Sequence, residues 1–269
     1  MSAQLGAGGP EIGMGLAQRL GYHFVDQEVI QDAVRRYGLV EEKASHLDES
    51  KPTLFERFDA ETRHYITVLQ TTLLEFAEQD DGVLMGRGGQ WLLRGIPHVL
   101  RVRVIAPFEQ RVKHLVRRSA ESGDKLTQRA AVDIVRRDDA ERAGRMRYLY
   151  EVDLDDPALY DTVISTERLS YEAAVDMVER AARRPELATT DAGRELIASR
   201  VLVSRVQVAL ATNPGTRRYR ITVEARDGVV VLEGTAALEH AVEVAKTVPG
   251  VREVRTQQVE IPPIPPFVA

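Results

Sequence analysis

The sequence predicts an α/β fold, a parallel sheet with helices on both faces, followed by a small α+β domain of order αββαβ. Three observations predict it. Short apolar runs alternate with helical spacings from the N-terminus to about residue 184, which is the pattern of a parallel sheet. That alternation breaks at Pro185. Beyond the break, Asp227-Gly228 lies between two runs of alternating hydrophobicity, a strong hairpin signal.

Taken in order, Leu5 to Gly15 reads L-G-A-G-G-P-E-I-G-M-G, and Ile12 to Leu20 is helical, with Ile12, Leu16, Ala17 and Leu20 on one face. Only Met1 to Leu5 precede the glycines, a stub of the buried strand expected there. Tyr22 to Val25 is a second strand, and Asp26 caps a helix from Gln27 to Tyr37. Residues 41 to 53 are polar and read as a surface segment. A long helix follows from Leu54 to Gln79, with Leu69, Leu73, Phe76 and Ala77 at helical spacing. Val83-Leu84-Met85 and Leu100 to Ile105 are strands, separated by Gly86-Arg87-Gly88-Gly89. Helices are expected over Phe108 to Ser122, Thr127 to about Arg147 and Tyr171 to Arg184, the last capped by Ser170, with a strand at Asp161 to Ser165.

The domain boundaries that follow are 1–184 for the α/β part, 185–193 for a linker, 194–261 for the α+β part and 262–269 for a proline-rich tail. Within the α+β part the expected order is helix Arg194 to Thr212, strand Tyr219 to Ala225, strand Val229 to Gly234, helix Ala237 to Val248 and strand Val251 to Ile261.

Composition narrows the function. The chain has 269 residues, 43% of them apolar and 29% charged, enough for a packed core in a soluble protein. A net charge of −5 gives no global pull toward nucleic acid or anionic lipid. There is no apolar run long enough to span a membrane, and cytoplasm is the default compartment. With no cysteine, disulfides, thiolate metal sites and cysteine nucleophiles are excluded. The six histidines show no metal-binding spacing, so no metal site is expected in the protein itself.

Two stretches carry chemistry. In the first, Gly6, Gly8 and Gly9 permit a tight turn that feeds a helix, with Pro10 suited to its first turn. Converging N–H groups and the helix dipole make such a turn an anion cradle. The lysine and hydroxyl of the full phosphate-loop pattern are absent, so the stretch also reads as a plain flexible N-terminus. The second stretch is R-R-D-D-A-E-R-A-G-R-M-R, Arg136 to Arg147. On a helix, Asp138, Arg142 and Arg145 share a face, and Asp139 reaches the side of Arg142. Guanidiniums held by carboxylates form a clamp for phosphate oxygens, although a solvated face laced with ion pairs has the same spelling.

Residues 5 to 184 resemble the cytidylate kinase-like family, a branch of the nucleoside monophosphate kinases with a P-loop fold. The likeness rests on six segments in the family's order: G-A-G-G-P-E-I-G, L-G-Y-H-F-V-D-Q-E-V-I, G-R-G-G, A-P-F-E-Q-R-V, R-R-D-D-A-E-R-A-G-R and Y-D-T-V-I-S-T-E-R-L-S. The resemblance implies a P-loop kinase-like sheet and phosphoryl transfer from ATP, with Mg²⁺, to a CMP- or dCMP-like acceptor. It places ATP on Gly6, Ala7, Gly8, Gly9 and Glu11 and the acceptor beside Asp26, Gln27 and Arg87. Arg137, Arg142, Arg145 and Asp139 fall on the family's lid helix, as the catalytic set. Relatives with this shortened loop carry a basic residue where this chain has Pro10, which leaves the loop without a cation. An inactive, nucleotide-binding pseudokinase is therefore the competing expectation. Residues 194 to 261 resemble a BON domain through D-G-V-V-V-L-E-G-T and V-P-G-V-R-E-V, which implies a phospholipid or protein partner and no catalytic set.

Overall fold

A computed structural model of the chain describes residues 1–26, 35, 60–86 and 88–258. Its first part is built on five short parallel strands. β1 (Ser2–Ala3) pairs with β4 (Val102–Ile105), and β4 with β5 (Thr162–Ser165). β2 (His23–Val25) pairs with β3 (Gly82–Leu84) in register His23↔Gly82. The Gly86 N–H donates to the Met1 carbonyl at 2.8 Å, so β3 lies alongside β1 and the order runs β2-β3-β1-β4-β5. All strands point one way, so their carboxyl ends share one edge, where an open parallel sheet binds ligands.

Helices cover the sheet because their apolar stripes match its faces. α1 (Gly9–Leu20) buries Ile12, Leu16 and Ala17, and α6 (Tyr171–Ala182) buries Ala174, Val175 and Val178 against the same core as Val102, Val104 and Ile164. Arg19 of α1 fans out to Glu172, Asp176 and Glu179 of α6. The other α-helices among the described residues of this part are α2 (Ala60–Glu78), the one-turn α3 (Gly89–Leu92), α4 (Phe108–Glu121) and α5 (Gln128–Tyr150). Sequence spacing gave no hint of α3, which is too short to show a period. The expected helix Gln27–Tyr37 and residues 41–53 lie outside the described residues, apart from Arg35. Of the expected Leu54–Gln79 helix, the described part is Ala60–Glu78.

The second part has the expected αββαβ order: α7 (Asp191–Thr212), β6 (Ile221–Arg226), β7 (Val229–Gly234), α8 (Leu238–Lys246) and β8 (Glu253–Gln258). β6 and β7 are antiparallel around Asp227-Gly228, and β8 adds to β7 in parallel. α7 starts three residues before the expected Arg194, because the Thr190 side chain accepts a hydrogen bond from Gly193 N at 3.1 Å and caps it. A 3₁₀ turn at Pro185–Leu187 precedes it.

α7 is apolar on two faces. Leu202, Val206 and Leu210 enter the core of the C-terminal sheet with Val223, Val230 and Leu232. Ile197 and Val201 pack on Leu74, Leu93 and Ile96, and Val208 joins Val25, Val68, Leu69 and Leu73. Along this second face the Thr71 and Ser204 hydroxyls hydrogen-bond in a buried position, and Arg205 pairs with Glu75 at 2.7 Å. Arg200 donates to the Arg94 carbonyl at 2.8 Å.

Candidate active site

The carboxyl edge of the sheet gathers the glycine turn after β1, Asp26 after β2, Gly86 and Gly88 after β3, Pro107 after β4 and Thr166 after β5. The turn is held from several sides. Gln4 N donates to the Val104 carbonyl and Ala7 N to the Gln4 carbonyl, each at 3.0 Å. The Gln4 side chain accepts from Ala106 N at 3.1 Å, and Thr166 Oγ1 donates to the Ala7 carbonyl at 3.0 Å. Gly6 and Gly8 have φ of 82° and 84°, the left-handed region that side chains avoid. The turn runs directly into α1, whose first turn contains Pro10 and Glu11. A fixed turn followed by a twelve-residue helix gives oriented N–H groups and a positive helix end, the physical requirements for an anion.

Neither Gly6 nor Gly8 has room for a methyl group. A Cβ on Gly6 would lie 2.7 Å from the Arg111 carbonyl oxygen, and one on Gly8 would lie 2.3 Å from the Tyr171 ring. The Gly6 collision is with helix backbone and has no soft side chain to move. Replacing Gly6 by Ala is expected to lower stability by about 2–4 kcal/mol, from left-handed strain and overpacking together. Urea unfolding of the purified variant checks this, and an unchanged midpoint would mean that the turn is not seated on α4.

The arginine-rich stretch is the C-terminal half of α5, and it lies against this turn. Arg142 donates from Nε to Asp138 at 2.7 Å and from Nη1 to the Ala3 carbonyl at 3.4 Å, immediately before the turn. Asp139 accepts two hydrogen bonds from Arg111 of α4, at 2.9 and 2.7 Å. Arg111 in turn reaches the Leu5 carbonyl at 3.5 Å. Arg137 is exposed and makes no ion pair among the described residues. Arg145 lies further along the same helix, close enough to Tyr150 for its charge to act on that phenol. Burial nonetheless dominates there and raises the Tyr150 hydroxyl above the usual phenol range.

The other expected residues divide. Asp26 is half-buried at the end of β2. Gln27 and Arg87 lie outside the described residues. Glu11 turns to α4, with His114 at 3.7 Å and Arg118 at 3.6 Å. His114 also bonds the Tyr171 hydroxyl at 3.1 Å, while burial and the Glu11 charge raise the Tyr171 phenol. Sequence reasoning missed Gln4, Thr166 and Arg111. For Arg111 there was a signal: it falls on the apolar stripe Phe108, Val112, Leu115, where a charge needs a buried partner.

Comparisons with known proteins agree with this architecture. The model of the cytidylate kinase-like family matches residues 1–168, and that of the BON domain matches residues 199–263. A cytidylate kinase of Methanocaldococcus jannaschii is 34% identical over 110 residues, covering 40% of this chain and 59% of that protein. The chain thus spans under two thirds of that relative's length. A cytidylate kinase of Natronomonas pharaonis is 28% identical over 183 residues, 67% of this chain and 86% of that protein. Among solved structures, an uncharacterized protein from Eubacterium ventriosum superposes with a TM-score of 0.53 at 14% identity, covering 68% of this chain and 96% of that one. That last likeness is one of fold.

Proposed function

We propose that this chain, which belongs to the cytidylate kinase-like family, transfers the γ-phosphoryl group of ATP to a nucleoside monophosphate of the CMP or dCMP kind. One observation carries the reading: the guanidinium-bearing helix α5 is laid against the glycine turn, with Arg142 on the Ala3 carbonyl. Phosphoryl transfer asks for positioning and for positive charge around a spreading negative charge, with little covalent help. In this reading the amides of Gly6 to Gly9 hold the triphosphate, and Arg137, Arg142 and Arg145 close on the transferred group. The acceptor lies toward Asp26, Gln27 and Arg87. In this reading Mg²⁺ arrives bound to the phosphate oxygens of ATP. When bound it supplies charge neutralisation at the phosphates. No helix among the described residues is long and apolar enough to cross a membrane, and the reading puts the reaction in the cytoplasm with its nucleotides.

The test is direct. Purified chain is incubated with ATP·Mg²⁺ and each of CMP, dCMP, UMP, AMP and GMP, and diphosphates are separated by anion-exchange chromatography. CDP or dCDP is the expected product, and no diphosphate from any acceptor overturns the proposal.

Pro10, in a loop without a cation, favours a second reading, an inactive nucleotide binder whose C-terminal domain supplies the function. That domain exposes Arg217, Arg218, Tyr219 and Arg220 in succession, with Tyr219 49% exposed, a surface suited to acidic phospholipid headgroups or to a protein. ATP that raises the melting temperature without any turnover would select this reading.

A further inference from the structure

Arg111 is buried, 4% exposed, and its guanidinium stands beside a glycine turn that has no cation of its own. Its backbone lies directly under Gly6, and its Nη1 reaches the Leu5 carbonyl at 3.5 Å. The two Nη groups are taken by Asp139, at 2.9 and 2.7 Å, which fixes the plane of the guanidinium. The Phe108 ring lies 5.6 Å from its central carbon and closes another side. Two N–H donors are left over, the second on Nη2 and the one on Nε, and Nε is buried and has no hydrogen-bond partner. A buried N–H without an acceptor is costly, and guanidinium groups bind phosphate oxygens through such an edge.

We propose that Arg111 is a phosphate-binding residue, which brings from α4 the positive charge that the glycine turn lacks. The Nε–H is the donor to a phosphate oxygen held on the turn, and Asp139 holds the fork in place from the other end. The same arrangement explains why the turn tolerates Pro10: the cation arrives from a neighbouring helix. This inference rests on the phosphate-binding part of the reading above and is independent of whether transfer occurs.

Binding of ATP, inorganic tripolyphosphate and adenosine to the full chain, by calorimetry, tests it without any need for turnover. Arg111→Met is expected to weaken ATP and tripolyphosphate about 10- to 100-fold, the scale of one charge-assisted hydrogen bond, and to leave adenosine unaffected. Asp139→Asn keeps the guanidinium and removes a nearby negative charge, so tripolyphosphate is expected to bind more tightly. If Arg111→Met is unfolded by circular dichroism, Arg111→Lys, which loses the fork and the Nε–H, is expected to weaken tripolyphosphate several-fold. Wild-type affinity in whichever Arg111 variant folds overturns the proposal. So does an equal loss in the Arg111 and Asp139 variants, which would make the pair a latch between α4 and α5. A wild-type chain that binds neither ATP nor tripolyphosphate removes the phosphate site itself, and the proposed function with it.

Discussion

Arg142→Ala is expected to lower kcat for phosphoryl transfer by about 10²- to 10³-fold, with the fold intact, because a lost guanidinium leaves transition-state charge uncompensated. The geometry makes the substitution clean. The Arg142 side chain is 37% exposed, and its pairing with Asp138 spans one helical turn. Such a pair contributes only ~0.3–0.5 kcal/mol, so the melting temperature should hardly change. KM for ATP should rise far less than kcat falls, since charge builds up on the transferred group during reaction. Arg142→Lys should recover little, because a point charge on a flexible stem does not reproduce a fork held by Asp138. Steady-state kinetics on both variants check this. An Arg142→Ala enzyme as fast as the wild type would show that α5 rests on the turn for packing alone.

The sequence announced the fold through periodicity, because each main element carries its own apolar stripe or alternation. α1, α6, β6 and β7 stand where Ile12 to Leu20, Tyr171 to Arg184 and the runs flanking Asp227-Gly228 put them. Boundaries drifted where capping outweighed pattern, as at Thr190, whose hydroxyl starts α7 before its first apolar residue. The site was legible as two separate stretches, the glycine turn and the arginine-rich helix. Their contact was not, because Arg142 meets Ala3 across 139 positions of chain, and no local rule encodes that distance. Arg111 was hidden in plain view, as a charge on an apolar face whose partner Asp139 belongs to another helix. The largest surprise is α7. The helix read as the first of the C-terminal domain carries Leu202, Val206 and Leu210 into one core and Ile197, Val201 and Val208 into others, a double role that local spacing does not encode.

From that double role follows the second large effect. Val201→Asp should destabilise the protein by about 4 kcal/mol or more, as expected for an unpaired charge in a packed core, and so remove much of an ordinary folding margin. Val201 is 1% exposed among Leu74, Leu93, Ile96 and Ile197. Its neighbours in that cluster are apolar and cannot solvate a carboxylate. The damage should also cross between the halves. α2 loses the surface it packs against, and the C-terminal sheet loses the rigidity of the helix that carries Leu202, Val206 and Leu210. Hydrogen exchange separates this from a local lesion. Protection should fall together in α2, through Leu69 to Leu74, and in β6 and β7. As a control, Thr222→Asp on the exposed face of β6 should leave both regions protected. If β6 and β7 exchange faster in the Val201 variant while α2 keeps wild-type protection, the two cores are independent and α7 belongs to one of them. If both loosen at once, the end of β2 loosens too. Val208 packs there against Val25, the residue before Asp26, so the C-terminal helix helps to hold the acceptor side of the site in place.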